Sequence, residues 1–406
     1  MMHILLFIIY GVACCYGIYK IPFIRRSGIK TGVLWVLFGL HVATGLIHNI
    51  IAWRYYPGHG DVWSFYNDSF EVRYQLTHRF DLFLSDNKAW VYIRYNAIIW
   101  IEAILNLFSY SSLTVNTLLF SFPVFLGNIA LFRMLRVRFS GDMLIPGCVF
   151  LLPGTLFWTS CIHREGVLYM LLGFLFYTFD KILSGRYPRR KIWHPICCFL
   201  LIIWIRPIVA VPLLPALTLW WALEKPLSGK QWWLMTAGCI SALIILPLLI
   251  PGLFQHIADG ITTRQREFLA MEGHSRLPLP AMDGTFTGML HVLPTAIRNG
   301  WFEPLPGSGG RPIYLAFSLE LMLIWIIAAT ALIRGKLLRQ LTPFSCCCLL
   351  FALTAMLLIG AVVPFAGAIV RYRSIYLPFL LIPCLAPFQS YPIYQKINKL
   401  LTHIIK

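Results

Sequence analysis

Long apolar runs separated by short basic clusters make up most of the chain. Runs at Met2–Ile18, Thr31–Ala52, Leu113–Phe132, Met143–Thr159, Gly166–Leu183, Trp232–Ile250, Pro312–Ile333, Ser345–Phe365 and Ile375–Phe388 approach or reach the ~20 residues that a membrane-crossing helix needs. His194–Leu223 is long enough for two short spans, broken where Pro207 removes a backbone donor. Ala97–Ser109 is short and carries Glu102, so it predicts an interfacial or re-entrant helix. The expected fold class is all-α: a polytopic transmembrane helix bundle of about 11 spans. It is a single membrane domain over residues 1–406 with two long external loops, residues 53–112 (including the interfacial helix) and 251–311. No internal repeat and no inverted pair of Gly/Pro-broken segments stands out.

Composition agrees with lipid as the solvent. The chain is 58% hydrophobic and 12% charged, with a mean hydropathy of +0.72; a soluble domain carries about twice that charged fraction. The net charge of +18 does not indicate nucleic acid, because the Lys and Arg residues lie in short clusters between apolar runs and not in one patch. Clusters such as Lys20/Arg25/Arg26/Lys30, Arg133/Arg136/Arg138 and Lys181/Arg186/Arg189/Arg190/Lys191 read as cytoplasmic anchors. This threading puts the N-terminus outside and the C-terminus in the cytoplasm. Asp142, Asp180 and Glu224 fall inside and Glu320 within a span, which leaves the other twelve of sixteen acids outside. The run Ile4–Ile18 lacks a basic n-region and a cleavage site, so it reads as a retained anchor. The cysteines lie mostly in apolar runs and behave as small hydrophobes. No Cys/His spacing reads as a zinc site, and no metal ligand is assigned.

Candidate chemistry concentrates on the outer side. After a turn at Pro57, Gly58 and Gly60, Asp61 follows directly beyond the second apolar run. A carboxylate there could accept a proton from an acceptor hydroxyl as a general base, with His59, Asp68 and Glu71 as nearby alternatives for that role. Alternatively these acids, with Asp81 and Asp86, only keep the stretch solvated. Trp53, Tyr55, Tyr56, Trp63, Phe65 and Tyr66 form an interfacial belt or stack on a sugar. The segment FWTSCIHREG, Phe157 to Gly166, joins two runs by a tight turn. His163, Arg164 and Glu165 are ionisable groups where charge is costly and usually functional. Arg164 could pair a phosphate and Glu165 orient it or bind an acceptor; otherwise both cap helices and snorkel. Cys161, near the same aqueous face, reads as structural.

Arg206 in WIRP, and Arg371 with Arg373 in VRYRS, stand at other external run ends. Arginine holds phosphate by charge-assisted, often bidentate, hydrogen bonds; headgroup anchoring is the alternative. Residues 251–311 contain Arg264, Glu267, Glu272, His274, Asp283 and a GSGG segment. GSGG lacks the Lys-Ser/Thr of a phosphate loop, and the stretch reads as a lid or acceptor-binding loop. Glu320 is a buried functional acid or a polar contact between helices.

Four features together resemble the GT-C class of membrane glycosyltransferases. These are Gly60-Asp61 ahead of an aromatic stretch and interfacial helix, RMLRVR followed by LLPGTLFWTSCIHREG, the turn SGRYPRRK, and the late VRYRSIYLPFLL. The resemblance covers most of the chain as an arrangement. It implies a polyprenyl-phosphate-linked sugar donor, a cell-envelope glycan, lipid or protein acceptor, and work on the external face of a bacterial inner membrane. It implies Asp61 as the base activating the acceptor hydroxyl, with Glu165 and Arg164 arranging the site and His59 and His163 contacting substrate. Arg206, Arg371 and Arg373 would stabilise the leaving lipid phosphate. An aspartate-x-aspartate pair is absent, so no cofactor is implied, and a divalent metal is left open. Two further classes suit the layout: an O-antigen polymerase or ligase using undecaprenyl pyrophosphate, and a flippase or transporter.

Overall fold

Prolines decide where several apolar runs stop being single helices. The computed structural model describes residues 1–55, 60–85, 97–139, 142–225, 228–250, 252–273, 275–307, 312–334 and 336–405, and these are helical throughout apart from connections and one isolated bridge, Arg276 to Phe365. In chain order the helices of six residues or more are α1 (Met2–Lys20), α2 (Thr31–Tyr55), α3 (Gly60–His78), α4 (Phe80–Ser85), α5 (Ala97–Ser109), α6 (Leu113–Arg138), α7 (Leu144–Leu151), α8 (Pro153–Ser160), α9 (Arg164–Leu183) and α10 (Trp193–Ile205). They continue with α11 (Pro207–Leu223), α12 (Gly229–Leu249), α13 (Leu253–Leu269), α14 (Phe286–Ile297), α15 (Pro312–Ile333), α16 (Pro343–Val362), α17 (Ala366–Arg373), α18 (Leu377–Leu385) and α19 (Pro392–Ile405).

Among the described residues, six helices are long and apolar enough to cross a membrane: α1, α2, α6, α9, α15 and α16. The pair α17–α18, bent by 58°, makes seven if it counts as one span. These helices mark an integral membrane protein, and the expected count of about eleven spans is too high. The physical reason is breakage. The run Met143–Thr159 splits where Leu152 turns extended ahead of Pro153, as a residue before proline tends to. The two eight-residue pieces are each roughly 12 Å long, well short of the bilayer core. His194–Leu223 breaks at Arg206, as expected, into helices of 13 and 17 residues.

The two stretches expected to be long loops are largely helical. In α3 the residues Val62, Ser69, Val72 and Gln75 are buried, a helical spacing that the polar residues between them conceal. This face packs on α5 around Val72, Ile99 and Ala103, flanked by Phe65, Leu76, Phe83 and Trp100. At 13 residues α5 is about 20 Å long, too short to cross. Residues 251–311 hold α13, α14 and a π-helical turn, Arg298–Phe302. His59, Asp86, His274, the turn at Pro57-Gly58 and Ser308 to Arg311 lie outside the described residues.

Contacts group the chain into two compact units, the first Met1–Pro207 with Tyr391–Lys406, the second Ile208–Ser390. At the centre of the first, α6 crosses α9 with Gly173 against the Gly127 carbonyl and Gly127 against the backbone of Met170, at distances that leave no room for a Cβ. Small residues let membrane helices approach this closely. Ile18, Phe38, Phe125, Phe132 and Phe150 fill the surrounding core. The late helix α19 joins this unit: Tyr394 Oη donates to Asp142 at 2.6 Å, the Met143 amide to Asn398 at 2.7 Å, and the Lys30 amide to the Ile405 carbonyl at 2.8 Å. Ile393, Ile397, Leu400 and Ile404 remain exposed along α19, one apolar stripe at helical spacing.

In the second unit α16 is central. Gly300 packs against the Met356 carbonyl and Gly360 against the Ala296 carbonyl, again without space for side chains. The fully buried Gln265 ties α13 down, donating to the carbonyls of Pro280 at 3.0 Å and Ala361 at 2.9 Å and accepting from the Met282 amide at 2.7 Å.

Candidate functional site

The break ahead of Pro207 sets up the most buried ion pair among the described residues of the first unit. Pro207 offers no amide, and the preceding residue is pushed extended; Arg206 has φ −155° and ψ 90°. Its side chain thereby leaves the helical path and meets the start of α9, where Nη1 donates to Glu165 Oε1 at 2.9 Å. Glu165 is 2% exposed and Arg206 14%. Glu165 sits in the first turn of α9, where a helix N-terminus favours negative charge. Arg164 lies beside it, half-buried.

The segment between α8 and α9 is extended: Cys161 has ψ 162° and His163 φ −135°, ψ 161°. In extended backbone, residues two apart face the same way. Cys161 and His163 both meet His48 of α2, and the donor atoms of the three lie within 4.8 Å of one another. All three are buried, so Cys161 is not at the aqueous face expected for it. The approach depends on glycine. A Cβ on Gly45, one turn before His48, would strike the Ser160 carbonyl and Thr117, and one on Gly166 would sit 2.7 Å from the Thr159 carbonyl. Aromatic rings close around His48, with Phe157 at 4.8 Å, Trp158 at 5.2 Å and His163 at 5.3 Å.

The start of α3 comes to the same place. Trp63 Nε1 donates to the Asn49 carbonyl at 3.2 Å, Trp53 and Trp63 lie 4.6 Å apart, and the Phe65 ring is 6.0 Å from His163. Asp61, exposed in the first turn of α3, is thus one helical turn from a residue touching the His163 ring. Farther along α3 runs a polar seam. Asn106 donates to Ser69 at 2.7 Å, Asn116 to Asn106 at 2.7 Å, and Asn49 to Thr117 at 2.8 Å. Glu102 of α5 is fully buried beside this seam, its oxygens without a hydrogen-bond partner. Burial pushes its carboxyl well above the usual carboxylate range, against the opposing effect of the Asn116 amide.

The first unit therefore gathers His163, Arg164, Glu165 and Arg206, with Asp61 on an adjoining helix, while His59 lies outside the described residues. Arg371 and Arg373 belong to the second unit. There Arg373 is 2% exposed and donates to the carbonyls of Gly300 at 3.1 Å and Glu303 at 2.6 Å, which ties it to the π-helical turn. Arg371 is half-buried and stacks on Tyr372 at 4.9 Å. Of the cluster, His48 went unnoticed in the sequence and Cys161 was read there as structural. An ionisable histidine within an apolar span was the available signal for the first; the second had none, since cysteine is also an ordinary core residue. In comparisons with family models, curated proteins and solved structures, the chain matches none.

Proposed function

We propose that the chain is a GT-C-like integral membrane glycosyltransferase, moving a sugar from a polyprenyl-phosphate donor to a cell-envelope acceptor. The observation that carries this reading is the contact of Phe65 with His163, which links the helix of Asp61 to the turn holding Glu165 and its partner Arg206. Asp61 takes the proton of the acceptor hydroxyl as that oxygen bonds to the anomeric carbon. The anomeric carbon–oxygen bond to phosphate breaks, and its electron pair stays on the lipid phosphate. Arg164 and Arg206 stabilise that charge, a role suited to guanidinium groups, and Glu165 fixes the direction of Arg206.

The test is Asp61→Asn in cells, with membrane insertion confirmed and surface-glycan extension assayed. A loss of about 10²–10⁴-fold is expected for removal of a general base. Full activity removes Asp61 from this role. A deletion strain whose surface glycan has a shortened repeat length without loss of any single sugar residue points to a polymerase instead.

A further inference from the structure

We propose that His48, Cys161 and His163 form a binding site for a divalent cation of the zinc class. This inference is independent of glycosyl transfer. Its basis is donor chemistry and placement. One thiol and two imidazoles lie with ligand atoms within 4.8 Å of one another, and His48, Cys161 and His163 are only 3%, 0% and 3% exposed. Thiolate and imidazole together select zinc-like cations over magnesium or calcium, which require oxygen ligands. Zinc bonds of about 2.0–2.3 Å put tetrahedral donors roughly 3.5 Å apart. The cluster therefore needs inward movements on the order of 1 Å, within reach of imidazole rotation.

The backbone prepares the site. Cys161 and His163 project to one side because the segment joining α8 and α9 is extended, and Gly45 lets α2 bring His48 onto that side by close contact with the Ser160 carbonyl. The thiol hydrogen now points to the Trp158 carbonyl at 3.5 Å; cation binding displaces that proton to solvent and leaves the thiolate as ligand. Phe65, Phe157 and Trp158 supply an apolar shell that restricts solvent access and lowers the local dielectric. Three protein ligands leave the fourth tetrahedral position for an oxygen atom, from water or an anionic substrate, as in zinc sites that do chemistry.

The experiment uses the full chain purified in detergent. Zinc is measured by elemental analysis, then removed with a chelator and replaced by titrated Co2+. About one zinc per chain is expected, with a thiolate-to-cobalt charge-transfer band on cobalt addition. Cys161→Ser, close to isosteric, should abolish the band, and His163→Gln should weaken cobalt binding by at least about tenfold. Trp158→Phe, which keeps all three donors, should retain the metal. Wild-type protein with neither stoichiometric zinc nor a cobalt band overturns the proposal, as does a band that survives Cys161→Ser. Zinc-loaded protein inactive in glycan extension counts against the transferase reading alone, and active protein that binds neither metal counts against the metal site alone.

Discussion

Arg206 donates to Glu165 at 2.9 Å across the junction between a proline-broken helix and the N-terminus of α9, with both side chains largely out of solvent. Buried pairs of this kind add little net stability, but stranding one partner is expensive. Glu165→Gln or Arg206→Gln should each destabilise by about 3–5 kcal/mol, read from unfolding in detergent. The double change Glu165→Met with Arg206→Met should cost less than the two single losses together. Simple additivity would mean that the pair is not coupled.

Helix crossing at Gly127 and Gly173 is predicted to be intolerant of any side chain. Gly173→Ala puts a methyl onto the Gly127 carbonyl and should cost at least about 1–3 kcal/mol by overpacking. Gly39→Ala, in α2 with no neighbour within 4 Å of the added carbon, should instead be neutral or stabilising by about 0.5–1 kcal/mol. Equal yields and melting behaviour for the two variants would contradict the crossing.

Glu102 predicts a dependence on pH. Below the ordinary carboxylate range both folded and unfolded chains carry a protonated group, and it contributes no difference. As pH rises past that range the unfolded chain ionises while burial keeps Glu102 neutral, so the folded state loses relative stability. The loss stops growing once pH exceeds the raised folded value. Unfolding of the wild type minus that of Glu102→Gln, followed from acid to neutral pH, should fall with pH. A flat or rising difference would refute a buried neutral acid.

Arg373 and Arg371 should separate cleanly. Arg373→Ala removes the donor holding the Gly300 and Glu303 carbonyls and leaves buried acceptors unpaired, at a cost of about 1–3 kcal/mol for each group. Arg371→Ala removes a half-buried stack on Tyr372 and should cost within about 1 kcal/mol. Thermal unfolding of both variants decides, and the reverse order would mean that the π-helical turn is held by something else.

Uninterrupted runs such as Pro312–Ile333 were legible almost to the residue, because twenty apolar positions between basic clusters have one stable outcome in lipid. Proline was an ambiguous guide. Pro207 ended a helix as expected, Pro153 divided a run that had been read whole, and Pro123 sits within α6 without ending it. The helix α3 was hidden because its buried face includes Ser69 and Gln75 as well as Val62 and Val72. Within the site, Arg164 and Glu165 stood out as charges at a junction. The partnership of Glu165 with Arg206, and of His48 with Cys161, was out of reach, since both depend on how separate helices approach. Arg373 illustrates the same limit: its letter in VRYRS looks solvent-facing, and its guanidinium is enclosed.

The docking of α19 has a consequence for how the protein is made. Asp142, Met143 and Lys30 bond to residues translated only after all of Ile208–Ser390 has been synthesised. The first unit therefore cannot reach its final packing in the order in which it emerges. Its early helices must wait in the membrane, partly assembled, until a segment from the far end of the message arrives to complete them. A nonsense mutation anywhere in the second unit would damage both.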